Sequence, residues 1–212
     1  TSTAQLWESR AEQARGLLKR LLWKSDLGRY VYFSDPQGNL RLEGQYHSYI
    51  YPVLYGLTDP LDSYTSMLHV RDRLTDPVTG GTGTSNNFPN HLKMDQKPWD
   101  GRVWGAQISA MQQPWGAWGL SKVGLRNETI RPLLAVSRWV MHDDHRGSWP
   151  EQHVDCAPTY YSPSAALFVT SVVEALFGLK MDKPAGALEI APSFPDSWPS
   201  AKLHLANFTM DY

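Results

Sequence analysis

Six segments of the chain carry apolar residues three and four positions apart, the spacing that gives a helix one apolar face. In the first segment, Leu6, Leu17 and Leu21 follow this spacing, and charged residues such as Glu8 and Glu12 lie between them. The segments cover residues 3–24, 45–57, 60–75, 104–122, 129–141 and 164–178. The last one is apolar on almost every side, which is typical of a buried helix. No strand–helix–strand alternation interrupts them, so the sequence predicts an all-α fold.

A minor β-component is predicted in two places. Residues 30–33 and 40–42 flank the turn Asp-Pro-Gln-Gly-Asn at 35–39, whose residue types suit a hairpin. Near the C-terminus, apolar residues alternate along two short stretches that begin at residues 186 and 201. We therefore expect a β-hairpin within residues 30–42 and a C-terminal β-segment within residues 186–210.

Composition and charge argue against several classes of function. Twenty Lys and Arg residues against 21 Asp and Glu leave a net charge of −1, so no basic surface for nucleic acid is expected. No run of about 18 apolar residues occurs, so the sequence predicts no membrane partner. The glycine-rich residues 79–87 lack the Gly-Lys-Ser/Thr of a phosphate loop, and no cofactor is predicted. The sequence does not determine the cellular compartment, but we expect a secreted, periplasmic or secretory-lumen location rather than the cytoplasm.

Residues 145–163 hold the densest set of reactive side chains. Their closely spaced prolines and Gly147 exclude a helix, so the sequence predicts a loop between two helices. This loop carries Glu151 beside Trp149 and contains the only cysteine of the chain. Loops on rigid scaffolds commonly carry catalytic groups, and we interpret Glu151 as a candidate catalytic carboxylate. The alternative is a solvated or helix-capping glutamate.

A metal site is the rival interpretation of this region. The His, Asp and Cys side chains that crowd together are His142, Asp143, Asp144, His145, His153, Asp155 and Cys156. Such groups bind zinc, but the sequence has neither a His-x-x-x-His spacing on a helix nor paired cysteines. We therefore predict no metal. A nucleophilic Cys156 paired with a histidine is a further alternative, although a lone cysteine is more often a buried apolar residue.

Four short motifs together resemble one family of enzymes. Tyr-Pro-Val-Leu-Tyr-Gly-Leu occupies residues 51–57, Trp-Asp-Gly-Arg-Val-Trp residues 99–104, and Gly-Ser-Trp-Pro-Glu residues 147–151. Phe-Gly-Leu at 177–179 is followed by Leu-Glu-Ile-Ala-Pro at 188–192. Taken together, these motifs resemble the catalytic domain of (α/α)6-toroid glycoside hydrolases of the trehalase and processing α-glucosidase type. Asp100 stands where the trehalase-like motif has Arg.

The resemblance implies a fold, an activity and a partner. It implies part of an (α/α)6 toroid, with residues 1–185 in the partial catalytic domain and residues 186–212 in its β-containing tail. It also implies hydrolysis of a glycosidic bond in an oligo- or polysaccharide, with inversion and with Glu151 as the general base. The family's general acid, an Asp in a Trp/Asp-rich segment, has no counterpart in this chain. The implied partners are a carbohydrate substrate and the N-terminal half of the same protein, without which we expect no activity.

The side chains predicted to contact sugar lie near Glu151 or in loops expected beside it. Aromatic rings can stack on pyranose faces, and charged or polar groups can bind hydroxyls. These candidates are Glu43, Trp99, Asp100, Trp149, Gln152, His153, Tyr160 and Tyr161. We expect the loops 40–47, 79–104 and 145–162 to converge on one cleft. Two alternatives stay open: a non-catalytic carbohydrate-binding scaffold, and a polysaccharide lyase that uses His153, Tyr160 and Tyr161.

Overall fold

The computed structural model describes residues 2–42, 46–76, 79–82, 110–141 and 161–212, together with Gly147, Trp149 and Glu151. The chain divides into two units. Unit 1 comprises Thr1–Leu74 and Gly83–Ala106, and unit 2 comprises Thr75–Thr82 and Gln107–Tyr212. Each unit contains helices and short antiparallel strand pairs among its described residues.

Unit 1 begins with helix α1 (Thr3–Leu22). A capping box starts the helix: the Ser2 hydroxyl accepts from the Gln5 backbone N–H, and the Gln5 side chain accepts from the Ser2 N–H. Towards the C-terminal end, the Lys19 ammonium group lies 2.5 Å from Asp59 and 2.8 Å from Asp62. No residue of α1 is buried, so the apolar face that predicted this helix is largely exposed in the described chain.

Two hairpins follow α1. Strand β1 (Trp23–Lys24) pairs antiparallel with β2 (Arg29–Tyr30), and their turn contains Gly28 at a φ of +63°. Strand β3 (Phe33–Ser34) pairs with β4 (Leu40–Arg41). The Asp35 carboxylate stabilises this second turn by accepting from the backbone N–H groups of Gln37 and Asn39, at 3.0 and 2.8 Å. The second hairpin lies where the Asp-Pro-Gln-Gly-Asn turn predicted one, whereas the first was not predicted.

Two helices and a π-helical turn complete the described part of unit 1. Helix α2 (Tyr46–Leu54) contains Pro52, and helix α3 (Pro60–His69) continues into a π-helical turn (Val70–Leu74). The Asp59 carboxylate caps α3 by accepting from the Asp62 N–H at 2.9 Å. These elements and the residues around β2 supply the buried apolar side chains of unit 1: Tyr30, Val31, Tyr49, Ile50, Val53, Met67, Val70 and Leu74.

A buried arginine connects β2 to the end of the second hairpin. Arg29 is only 8% exposed, and its guanidinium group donates to the carbonyls of Leu42, at 2.8 Å, and Tyr30, at 3.4 Å. The same group lies 5.6 Å from the centroid of the buried Tyr49 ring, which is within cation–π range. Burial raises the pKa of the Tyr49 phenol, so its ring is neutral beside the guanidinium. Arg29 therefore fixes the backbone at Leu42.

Unit 2 is built on three helices that pack on one another. Helix α4 (Gln112–Lys122) packs against α5 (Arg126–Val140) and against α6 (Ser162–Ser171), which continues into a π-helical turn (Val172–Leu176). One apolar cluster joins α4 and α5 to the residues that follow α6. Its buried members are Ala117, Leu133, Leu176, Phe177, Leu179 and Phe194. A second buries Ala110, Val136 and Val140, with Trp139, Trp149 and Phe168 packed against it. Through Trp149, the second cluster packs the region around Glu151 against α5 and α6.

Two hairpins end unit 2. Strand β5 (Leu179–Asp182) pairs antiparallel with β6 (Ala187–Ile190), and β7 (Lys202–Leu205) with β8 (Phe208–Asp211). After β6 the chain bonds to residues at and just after the end of the π-helical turn. The N–H groups of Ala191 and Ser193 donate to the carbonyls of Gly178 and Leu176, at 3.0 and 2.9 Å. These bonds bring the backbone of residue 191 into close contact with Gly178.

The prediction of an all-α fold and an (α/α)6 toroid is wrong. The described residues form six α-helices together with eight strands in four two-stranded antiparallel sheets, so the fold is mixed α and β. These residues show no toroid. The physical reason for the error is strand length: β1 to β4 have two residues each, too short for a period of two to be visible. Their pairing is specified by turn residues instead.

A buried glutamine of α4 holds the backbone of Thr82 in unit 2. Gln113 is fully buried, and its side chain makes two hydrogen bonds to the backbone of Thr82. The Thr82 N–H donates to Gln113 Oε1 at 2.6 Å, and Gln113 Nε2 donates to the Thr82 carbonyl at 2.8 Å. The amide thus satisfies a buried donor and a buried acceptor at once.

We expect Gln113→Ala to lower the free energy of unfolding by about 2 kcal/mol, because it leaves both backbone groups of Thr82 without their partner. The matched control is Gln13→Ala on the exposed surface of α1, which should change the free energy by less than about 0.5 kcal/mol. Urea denaturation measures both variants. Equal stabilities for the two would refute the structural role of Gln113.

Candidate functional site

Two backbone hydrogen bonds attach the region of Glu151 to the helices of unit 2. The Tyr161 N–H, directly before α6, donates to the Trp149 carbonyl at 2.7 Å. The Met111 N–H, directly before α4, donates to the Glu151 carbonyl at 3.3 Å. The main chain on both sides of residue 150 is therefore attached to a helix end.

A third backbone bond and an aromatic contact add to this attachment. The Gly147 N–H donates to the carbonyl of Val140 at 2.8 Å, at the end of α5. The Trp149 ring lies 5.2 Å from the Phe168 ring of α6, at an interplanar angle of 52°. It also packs on the apolar cluster formed by Ala110, which precedes α4, and by Val136 and Val140 of α5. Each of the three described residues of this region thus contacts a helix of unit 2.

Glu151 itself is partly exposed, as are Trp149 and Tyr161. A carboxylate in such a position can reach both solvent water and a bound ligand. Because the backbone of the loop is fixed at three points, the side chain starts from a defined place, which acid–base chemistry requires. An ionised carboxylate here can accept a proton from water or hydrogen bonds from hydroxyl groups.

The other six predicted site residues lie outside the described part of the chain. They are Glu43, Trp99, Asp100, Gln152, His153 and Tyr160. Of the predicted set, the structure describes Trp149, Glu151 and Tyr161, and it brings all three together in unit 2. The predicted convergence of three loops falls largely on residues outside the described ranges and stays a prediction.

The rival metal site also falls outside the described residues, since it was predicted from residues 142–145, 153, 155 and 156. Within the described residues, no group of three or more His, Cys, Asp or Glu side chains is arranged to hold a metal ion. None of the described helices combines the length and the apolarity that crossing a bilayer requires.

Sequence analysis missed a cavity of about 290 Å³ in unit 1. Its walls come from α1, from the chain at and after β2, from α2 and from the residue that follows Gly56. The residues that line it are Leu18, Leu22, Tyr30, Val31, Tyr32, His47, Ser48, Tyr51, Pro52 and Leu57. The aromatic residues at 30, 32 and 51 were visible in the sequence, but nothing in their spacing shows that they share one cavity.

Comparison with known proteins does not assign the chain to a family. No family model matches it, and no curated protein matches it.

Proposed function

We propose that the chain belongs to a glycoside hydrolase in which Glu151 acts as the general base. The observation that carries the proposal is the attachment of Gly147, Trp149 and Glu151 to the ends of three helices by backbone bonds of 2.7 to 3.3 Å. Glu151 and its aromatic neighbour Trp149 are both partly exposed, and a carboxylate together with aromatic side chains is the combination that sugar hydrolysis uses. The proposal rests on this site and not on a toroidal fold.

Inverting hydrolysis assigns one task to each of two carboxyl groups. A carboxylic acid protonates the leaving oxygen, and a carboxylate about 6.5–9.5 Å away removes a proton from the attacking water. Glu151 takes the second task in this proposal. In this proposal the acid comes from the N-terminal half of the same protein, because the family's general acid has no counterpart in this chain. Trp149 and Tyr161 provide aromatic surface against which a sugar ring can be oriented.

The loop geometry favours a positioned base over a freely solvated glutamate. A surface glutamate without a role needs no fixed backbone, whereas here Met111 donates to the carbonyl of Glu151 itself. Trp149 packs its ring on Phe168 and keeps part of its surface exposed. An aromatic side chain with one face packed and part of its surface in solvent suits stacking on a ligand.

Product analysis tests the proposal. We expect the naturally expressed protein to release reducing sugars from a panel of α- and β-glucosides and glucans, with one water consumed for each bond broken. Unsaturated sugar ends would indicate a lyase. Sugar binding without turnover would indicate a carbohydrate-binding scaffold. Either result would overturn the hydrolase proposal.

A further inference from the structure

The described residues that line the cavity of unit 1 carry no formal charge. None of its ten lining residues is Asp, Glu, Lys or Arg. Burial lowers the pKa of the half-buried His47, so its imidazole is neutral at pH 7. Burial raises the pKa of Tyr51 to about 12, with a smaller contribution from the neighbouring Tyr55, so this phenol is neutral as well. Among the described residues that line the cavity, none therefore has a group that could pair with an ionic ligand.

The walls of the cavity are held by contacts outside it. Next to Leu18, which lines the cavity, Lys19 binds the carboxylates of Asp59 and Asp62. The Tyr30 ring makes an edge-on contact with Trp23, at a centroid distance of 5.1 Å. These contacts fix α1 and β2 where they form the cavity, which favours a preformed site over one that collapses when empty.

The aromatic walls define the shape of a ligand. The rings of His47 and Tyr51 lie 4.7 Å apart on α2 and are tilted by 44°. Tyr30 and Tyr32 add aromatic surface from the chain at and after β2. The cavity thus has an aromatic lining, which favours a flat aromatic ligand, since aromatic pairs favour edge-to-face or offset contact.

Size and polarity restrict the ligand further. A volume of about 290 Å³ is close to the lower end of small-molecule sites, which start at roughly 300 Å³. Five of the lining residues are aliphatic side chains or proline: Leu18, Leu22, Val31, Pro52 and Leu57. A hexose would bring many hydroxyl groups to these apolar surfaces and lose their hydrogen bonds to water. A molecule with one ring and few polar groups avoids this loss.

We propose that this cavity binds a neutral, single-ring or fused-ring aromatic molecule of the size of p-cresol or indole. The proposal goes beyond the hydrolase function, because the cavity is formed by residues of unit 1 and Glu151 belongs to unit 2. The buried hydroxyl of Tyr30 has no hydrogen-bond partner among the described residues, so a polar group of the ligand can bond to it and orient the ring.

Calorimetric titration of the intact chain with p-cresol and with indole tests the proposal. We expect a Kd of roughly 0.1–1 mM for these small probes, in line with the binding energy available to eight or nine non-hydrogen atoms. Ser48→Trp places a large side chain in the cavity and should weaken binding at least tenfold. Leu57→Trp fills the cavity from another wall and should have the same effect. If one of the two variants does not fold, the other still tests the proposal.

The matched control is Leu61→Ala. Leu61 lies on α3, is 73% exposed and does not line the cavity, so its truncation should leave the Kd unchanged within a factor of two. Circular dichroism checks that each variant is folded. Absence of binding to the unmodified chain, or equal binding by folded cavity-filling variants, would overturn the proposal. Tighter binding of methyl glucoside than of p-cresol would overturn the assignment of the ligand as aromatic.

Discussion

Glu151→Gln should lower turnover of the preferred glycoside by about 10²- to 10⁴-fold, the usual contribution of a positioned acid or base. The amide has the shape of the carboxylate but cannot remove a proton from water at neutral pH. The backbone bond from Met111 to the carbonyl of residue 151 does not involve the side chain, so the loop should keep its position. Steady-state kinetics of the naturally expressed protein and of the variant measure the effect, and sugar binding by the variant should persist.

Two further variants separate chemistry from binding and from general charge effects. Trp149→Ala removes a ring that packs on Phe168, and it should weaken sugar binding and raise KM. Glu189→Gln alters an exposed carboxylate on β6, whose contact with Lys180 is 3.7 Å long, and it should leave the kinetics unchanged. Wild-type kinetics in Glu151→Gln would remove Glu151 from the mechanism and leave a binding scaffold as the better account.

Gly178→Ala should lower the free energy of unfolding by about 3 kcal/mol or more. Gly178 has a φ of +66°, and a Cβ added there would lie 2.0 Å from the carbonyl oxygen of Ala191 and 2.7 Å from the nitrogen of Pro192. These are backbone atoms, which cannot rotate away. The strain of the left-handed conformation adds about 1–2 kcal/mol, and the overlap adds about 1–3 kcal/mol. Urea denaturation measures the loss.

Gly124→Ala is the matched control for this effect. Gly124 ends α4 at a φ of +76°, and an added Cβ would meet no atom within 4 Å. Alanine there should cost about 1 kcal/mol, because only the left-handed backbone conformation opposes it. The difference between the two variants isolates the contact between residues 178 and 191. Similar losses for both would show that this contact does not stabilise unit 2.

The helices could be predicted because each apolar pattern extends over enough residues for its period to be visible. α1 was predicted within two residues of its observed end, and α5 and α6 begin two or three residues before their predicted starts. The predicted helices 60–75 and 164–178 both change into π-helical turns, at Val70 and Val172. Apolar spacing does not distinguish these turns from continued α-helix, so the change could not be read from the sequence.

The strands were harder to predict, for reasons that differ between the two units. In unit 1, β1 and β2 have two residues each and are specified by the turn at Gly28. In unit 2, β5 follows a helix directly and carries Lys180 and Asp182 in a pattern that does not resemble a buried strand. Both pairs are local hairpins, with partners 5 to 11 residues apart, but strands this short or this polar show no period-two apolar pattern that would reveal them.

Only those residues of the candidate site that lie close together in the sequence could be predicted. Trp149, Glu151 and Tyr161 were singled out because one proline-rich loop contains them all, and the structure joins them through unit 2. The cavity of unit 1 combines residues from 18 to 57, so its existence depends on the packing of α1, β2 and α2. No short motif specifies such a cavity.

Proton NMR of the first sugar released from a substrate of known anomeric configuration tests the central claim most directly. A base that activates water on the face opposite the leaving group gives a product of inverted configuration. If Glu151 is this base, the unmodified protein releases the inverted anomer, and Glu151→Gln releases almost none on the same time scale. Release of the retained anomer, or equal release by the two proteins, would contradict the assignment of Glu151 as general base.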